Sequence, residues 1–297
     1  MESSRTPRES QGRTSVLFAG VVVAALLVAM FVPVAEAGAT AQKVSTQSAT
    51  MAGVRATFTY RGTYPEGRNP SLTITRQGVV LFKGPVTSAW CGNECWPNTI
   101  EAKDKAVHVV RLQAGKTPEV VLDLYSGGAH CCSIEQVYSI GATSKVRKVE
   151  RNFGDPGARL ERIGVGGTTD FVSADDYFAY EFTDFAASGL PIEILSFSNG
   201  SFHNVTRRFP TLIAKDAAVW LQAFHAQASS HYQDSVGVAA AWAADEDMLG
   251  HAAAVKSFLA AQLKAGHLNS ALSPIEPGGA HFVTALQAFL QKHGYTK

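Results

Sequence analysis

A two-residue period of apolar and polar positions first appears at Val54. In "GVRATFTYRG", Val54, Ala56, Phe58 and Tyr60 alternate with Arg55, Thr57 and Thr59, the pattern of a strand buried on one face. "SLTITRQGVVLFKG" predicts two strands around a turn at Arg76-Gln77-Gly78. β-Branched runs continue through "AVHVVRL", "EVVLDLY", "IEQVYSI", "KVRKVER", "DFVSA", "YFAYEF" and "PIEILSF", and Asn199-Gly200 between apolar neighbours is a strong hairpin signal. Short strands at this spacing predict an all-β module.

Near Pro210 the period lengthens to that of a helix. "TLIAKDAAVWLQAFHAQ" places Leu212, Ile213, Ala217, Trp220, Leu221 and Phe224 on one helical face. "DSVGVAAAWAADEDML", "HAAAVKSFLAAQLKAG" and "GGAHFVTALQAFLQKHG" are expected as further amphipathic helices, the last two stopped by Gly266 and Gly294. So few short helices make a thin core alone, so they are expected to pack on the β module.

Before Val54 the chain has a different character. Arg5, Arg8 and Arg13 precede an uncharged apolar run from Val16 to Val32, then Pro33 and the small-residue stretch Ala35-Glu36-Ala37. This is the pattern of a secretory signal, and the length of the run also suits an uncleaved anchor. Either way the arginines stay cytoplasmic and everything beyond about Gly38 lies outside. The expected organisation is a signal peptide or N-terminal membrane anchor over 1–37, a linker over 38–52, a β-repeat module over 53–209 and a helical segment over 210–297. The fold class is mainly β, with propeller-blade-like antiparallel repeats and a C-terminal α-helical segment.

Charge narrows the partners. Formal net charge is +1, and no basic field marks a nucleic-acid partner. Contact with a membrane is expected only through the N-terminal segment. An extracytoplasmic location also decides how the four cysteines are read, because an even number there favours disulfides over a metal site. Cys91 and Cys95 lie in "WCGNECWP", and Cys131 and Cys132 follow His130 in "HCC". A bond between the neighbours Cys131 and Cys132 opposes a planar trans peptide, so at least one bond is expected to run from the first pair to the second.

A self-similar pair of stretches lies within the β module. "RLQAGKTPEVVLD" from Arg111 aligns with "RIGVGGTTDFVSA" from Arg162, matching Leu112 with Ile163, Gly115 with Gly166, Thr117 with Thr168, Glu119 with Asp170 and Val121 with Val172. Each copy is a glycine turn, an acid and a buried strand. This segment resembles the FG-GAP/VCBS-type repeats of integrin-like β-propellers in bacterial cell envelopes. The resemblance covers about Ala106 to Pro210 and implies blade-like sheets and turns whose carboxylates hold Ca²⁺. Gln113 and Ala114 in one turn, and Gly164 and Val165 in the other, stand where such ligands belong. Calcium takes six to eight oxygens, so Glu119 and Asp170 alone leave weak calcium binding at most, and no cofactor is expected.

The remaining candidates are sparse. Asp175 and Asp176 in "SADDYFAYEF" are the best pair for acid–base chemistry, but neighbours on a strand face opposite ways. They are expected to cap turns or to touch a ligand, as are Glu119, Asp170 and His130. Ser126, His130 and Asp123 lack the strand–turn–helix elbow of a serine hydrolase. The expected function is non-catalytic binding or scaffolding on an extracellular or cell-surface protein or glycan. An extracytoplasmic hydrolase using Asp175 and Asp176 is the alternative.

Overall fold

The alternating stretch at Val54 becomes the second strand of a four-stranded antiparallel meander. A computed structural model describes residues 43–62, 68–98, 105–115, 117–129, 131–229, 234–270 and 278–296. The expected signal or anchor and His130 lie outside the described residues. The first sheet runs in chain order through β1 (Val44–Met51), β2 (Val54–Arg61), β3 (Arg68–Arg76) and β4 (Val79–Pro85). Within it, Val54, Ala56, Phe58, Leu72 and Ile74 are wholly buried. The stretch expected as a linker over 38–52 therefore contains a strand. β1 has no apolar alternation because it lies at the sheet edge, where Ser45 and Gln47 make polar contacts with Gly62 and Ala106.

The second sheet is buried on both faces. β5 (Trp96–Pro97) and β6 (Val107–Val110) pair end to end along one edge of β7 (Glu119–Tyr125), followed by β8 (Ser133–Ile140) and β9 (Val146–Asn152). Val120, Leu122 and Leu124 of β7 face the first sheet with Ile134 and Tyr138. Val121 and Val137 face the other way, into a core with Phe153, Phe171, Leu195 and Phe197. That two-sided burial explains why "EVVLDLY" is nearly unbroken in apolar residues.

The third sheet is another meander, with β10 (Arg159–Glu161), β11 (Asp170–Ala174), β12 (Ile192–Ser198) and β13 (Ser201–Asn204). Asn199 and Gly200 both have positive φ at the β12–β13 turn, as a tight hairpin requires. The described strands form three antiparallel sheets and close neither a barrel nor a propeller. The stretch "YFAYEF", expected as a strand, forms a 3-10 turn at Asp176–Phe178 followed by further turns. Its aromatic residues leave the sheet to pack on helices: Phe178 lies 4.9 Å from Phe289, and Phe182 5.4 Å from Phe282.

Four helices follow: α1 (Pro210–Ala228), α2 (Val236–Met248), α3 (Ala252–Ala265) and α4 (Gly279–Lys292). α2 is not amphipathic as expected; every residue from Val236 to Asp245 is buried. It is the centre of the helical core, and small residues allow the close approach this demands. A Cβ at Gly237 would stand 2.8 Å from Thr183 Cγ2, and one at Gly189 2.8 Å from the Ala241 Cβ. No helix among the described residues is long and apolar enough to cross a membrane.

The cysteines pair locally rather than across the two stretches. Cys91 and Cys95 are bonded across a tight turn with Cα atoms 5.1 Å apart, well within disulfide range. Cys131 is then left with its neighbour Cys132, to which it is bonded. The expected cross-link from "WCGNECWP" to "HCC" is therefore replaced by two local bonds.

One cation ties the sheets to two helix ends. Arg207 follows β13, and its guanidinium donates to Met248 O (2.8 Å), Tyr295 O (2.6 Å) and Gly294 O (3.1 Å). These carbonyls follow α2 and α4, where a positive charge is favoured and backbone acceptors lack helical partners. Arg207→Ala is expected to lower unfolding free energy in urea by about 2–4 kcal/mol, with Arg207→Lys recovering only part. A loss within experimental error would show that the clamp contributes nothing.

Candidate functional site

β11 ends at Ala174, and the chain turns at once through Asp175 and Asp176. Asp175 takes extended backbone and caps the 3-10 turn: its Oδ1 accepts from Tyr177 N at 3.0 Å. Its Oδ2 accepts from the Tyr295 hydroxyl at 2.6 Å. Burial, with Asp175 beside it, pushes the Tyr295 hydroxyl above its ordinary range, so it remains a donor. Asp176 is directed elsewhere and accepts from the Asp155 amide. Burial raises its pKa, that amide pulls it down, and the Asp155 and Asp175 carboxylates push it up again.

Glu193 reaches the same region from β12, where it stands opposite Ser173. Arg151 Nη2 lies 3.2 Å from Glu193 Oε2, and Asn204 Nδ2 donates to Oε1 at 3.3 Å. Burial raises Glu193 above its ordinary value; Arg151 opposes that rise and Asp175 adds to it. Together Trp90, Arg151, Asp175, Asp176, Tyr177 and Glu193 line a cleft of about 290 Å³. Trp90 is 45% exposed and Tyr177 69% exposed. Trp96 does not join them. It packs 6.2 Å from Tyr125 and lines a separate opening with Arg68, Asn69, Asn93 and Glu94.

Behind the cleft lies a second carboxyl pair that sequence reasoning missed. Asp216 of α1 accepts at Oδ2 from Ile192 N and from Trp220 Nε1, both at 2.9 Å. Asp245 of α2 is wholly buried, and the Ile192 N–H that bonds Asp216 is also near enough to pull its pKa down, the smallest of the influences on it. Burial first, then the Asp216 carboxylate, push Asp245 up to about 10. A proton on Asp245, donated to Asp216, satisfies both groups. The available signal was the acid run Asp245-Glu246-Asp247 closing the apolar stretch "VGVAAAWAA". Nothing in the sequence marked Tyr295, Glu193 or Arg207.

The other candidates fall apart in space. Glu119 opens β7 and holds its own turn, accepting from Leu112 N at 2.9 Å and Gln113 Nε2 at 2.7 Å. Asp170 opens β11 and lines a different cleft, with Gln113, Thr168 and Arg208. Among the described residues, no group of three or more His, Cys, Asp or Glu is arranged to hold a metal ion.

No protein-family model matches this chain, and no solved structure matches it. Two curated proteins are similar over part of it. One is "Uncharacterized protein y4bJ" of Sinorhizobium fredii, 26% identical over 127 residues, covering 43% of this chain and 19% of that protein. Another is "Probable thylakoid lumen protein sll0997" of Synechocystis, 27% identical over 136 residues, covering 39% of this chain and 40% of that protein. The chain thus spans less than half the length of either relative, and neither likeness places it in a family.

The Asp216–Asp245 pair gives the fold a pH dependence of definite sign. Folded, Asp245 keeps its proton up to about 10; unfolded, it ionises above its ordinary 3.8. Its stabilising proton is fully held below the lower value, and the benefit is lost as pH rises through the window. That loss is at most about 1.4 kcal/mol per pH unit. Asp245→Asn needs no proton. It is expected to leave urea stability near pH 4 almost unchanged and to raise it by about 2 kcal/mol near pH 8. Equal destabilisation at both pH values would contradict the shared proton.

Proposed function

We propose that this protein is an extracytoplasmic, non-catalytic recognition module that holds a cell-surface glycan in the cleft beneath Trp90 and Tyr177. The observation that carries this reading is how the acids there are used. Asp175 caps a turn and holds Tyr295, Asp176 is bonded to the Asp155 amide, and Glu193 is held by Arg151 and Asn204. Asp175 and Asp176 thus hold different partners, although both line the cleft. The exposed Trp90 and Tyr177 line the same cleft as polar groups that are already fixed in place. Flat aromatic faces suit the apolar face of a sugar ring, and pre-set carboxylates suit its hydroxyls.

Location is supported by three features. Arginines precede an apolar run at the N-terminus, the cysteines are disulfide-bonded, and one relative is described as a probable thylakoid lumen protein. The resemblance to envelope proteins with FG-GAP/VCBS-type repeats fits a surface role. A hydrolase is the second reading, favoured by burial holding Asp176 and Glu193 above the ordinary carboxylate range.

The test is binding of the exported protein to a panel of cell-wall and capsular glycans, with product analysis of the same mixtures. Trp90→Ala and Tyr177→Ala are each expected to weaken binding about tenfold, or 1.4 kcal/mol, while no glycan is cleaved. New reducing ends that vanish in Asp176→Asn would select the hydrolase; binding indifferent to both ring deletions would overturn the site.

A further inference from the structure

The turns that open β7 and β11 begin alike and end differently. At the first, Glu119 takes two donors from its own turn, Leu112 N and the Gln113 side chain. At the second, the aligned Ile163 N donates to Glu161 O at 3.0 Å instead. Gly164 stands in place of Gln113 and brings no side chain, and its N–H donates to Thr168 O at 2.9 Å. Asp170 is also one methylene shorter than Glu119. Both donors that satisfy the acid in one turn are therefore missing in the other.

Asp170 is nonetheless only 2% exposed. Among the described residues, no hydrogen bond or ion pair engages its carboxylate, whose oxygens keep a small opening to the cleft they line. Gly164 cannot be replaced to fill the gap. A Cβ there would stand 2.9 Å from Asp170 Oδ1 and 3.0 Å from Oδ2, closer than side-chain carbons approach oxygen.

The carboxylate borders a cleft of about 370 Å³ with apolar walls that include Ile163, Phe197, Val205 and Phe209. Arg208, exposed, lines the same cleft. Its positive charge acts on Asp170 from a distance, without an ion pair between them. The cleft thus carries a buried negative group, an exposed positive group, and apolar surface alongside. Charge-assisted bonds to each end are the strongest recognition available to such a pair.

We infer that this cleft binds a small zwitterion with an apolar side chain, of the α-amino-acid class, its ammonium on Asp170 and its carboxylate on Arg208. The site is separate from the cleft beneath Trp90 and goes beyond the glycan reading. The full exported chain is titrated calorimetrically with L-leucine and L-phenylalanine, and with their N-acetyl and methyl-ester derivatives. The free amino acids are expected to bind, and blocking either end is expected to weaken binding at least about tenfold. Arg208→Gln, a change at an exposed position, is expected to do the same, and Asp170→Asn likewise if it folds. Trp90→Ala is expected to change nothing. Absence of binding at millimolar amino acid would overturn the inference. So would affinity unaltered by Arg208→Gln, or equal affinity for the blocked derivatives.

Discussion

The seam between the third sheet and the helices is built around one buried carboxyl, Asp245, which burial and the neighbouring Asp216 carboxylate push up to about 10. Asp216 fixes α1 to the start of β12 through Ile192 N and holds its own Trp220. Asp245 brings the central helix against it from the other side. An ionised Asp245 here would be a buried charge beside the Asp216 carboxylate, a costly arrangement. With a proton on Asp245, the pair forms a hydrogen bond within the seam. α2 can then be buried along nearly its whole length, and the aromatic residues after β11 have a core to enter.

The same seam explains why the acids of the cleft carry structural bonds as well as raised pKa values. Asp175 lies where the third sheet meets the last residues of the chain, and its bond to Tyr295 closes that junction. Arg207 closes it from below by collecting the carbonyls that end α2 and α4. Burial raises several carboxyl pKa values here, as it does in many active sites, but each group answers to a backbone or side-chain partner. The surfaces left accessible once the junction is satisfied include the exposed Trp90 and Tyr177 and the cleft lined by Asp170 and Arg208.

Elements with one buried face were legible before any coordinates. Val54 to Tyr60, the Asn199-Gly200 hairpin and the α1 face from Ile213 to Phe224 follow local periods, which neighbours reinforce. The misreadings share a cause: burial was set by tertiary neighbours rather than by local pattern. β1 is polar because it is an edge, α2 lacks a polar face because it is surrounded, and "YFAYEF" turns aside because helices offer its rings more contact. The cysteine pairing failed for a related reason, since the turn between Cys91 and Cys95 is tighter than spacing alone suggested. Of the site, Asp175 and Asp176 were visible as a pair of acids. Their partners Tyr295, Glu193 and Arg151 were invisible because they arrive from distant strands and the chain end.

The central claim is that Asp245 carries a proton in the folded protein at neutral pH. A carboxyl-carbon NMR titration of the folded chain, with Asp245 assigned by comparison with Asp245→Asn, measures this directly. The account predicts a resonance that keeps its protonated position through neutrality and moves only near its raised value of about 10. A resonance that titrates near the ordinary 3.8, with the fold intact, would contradict it.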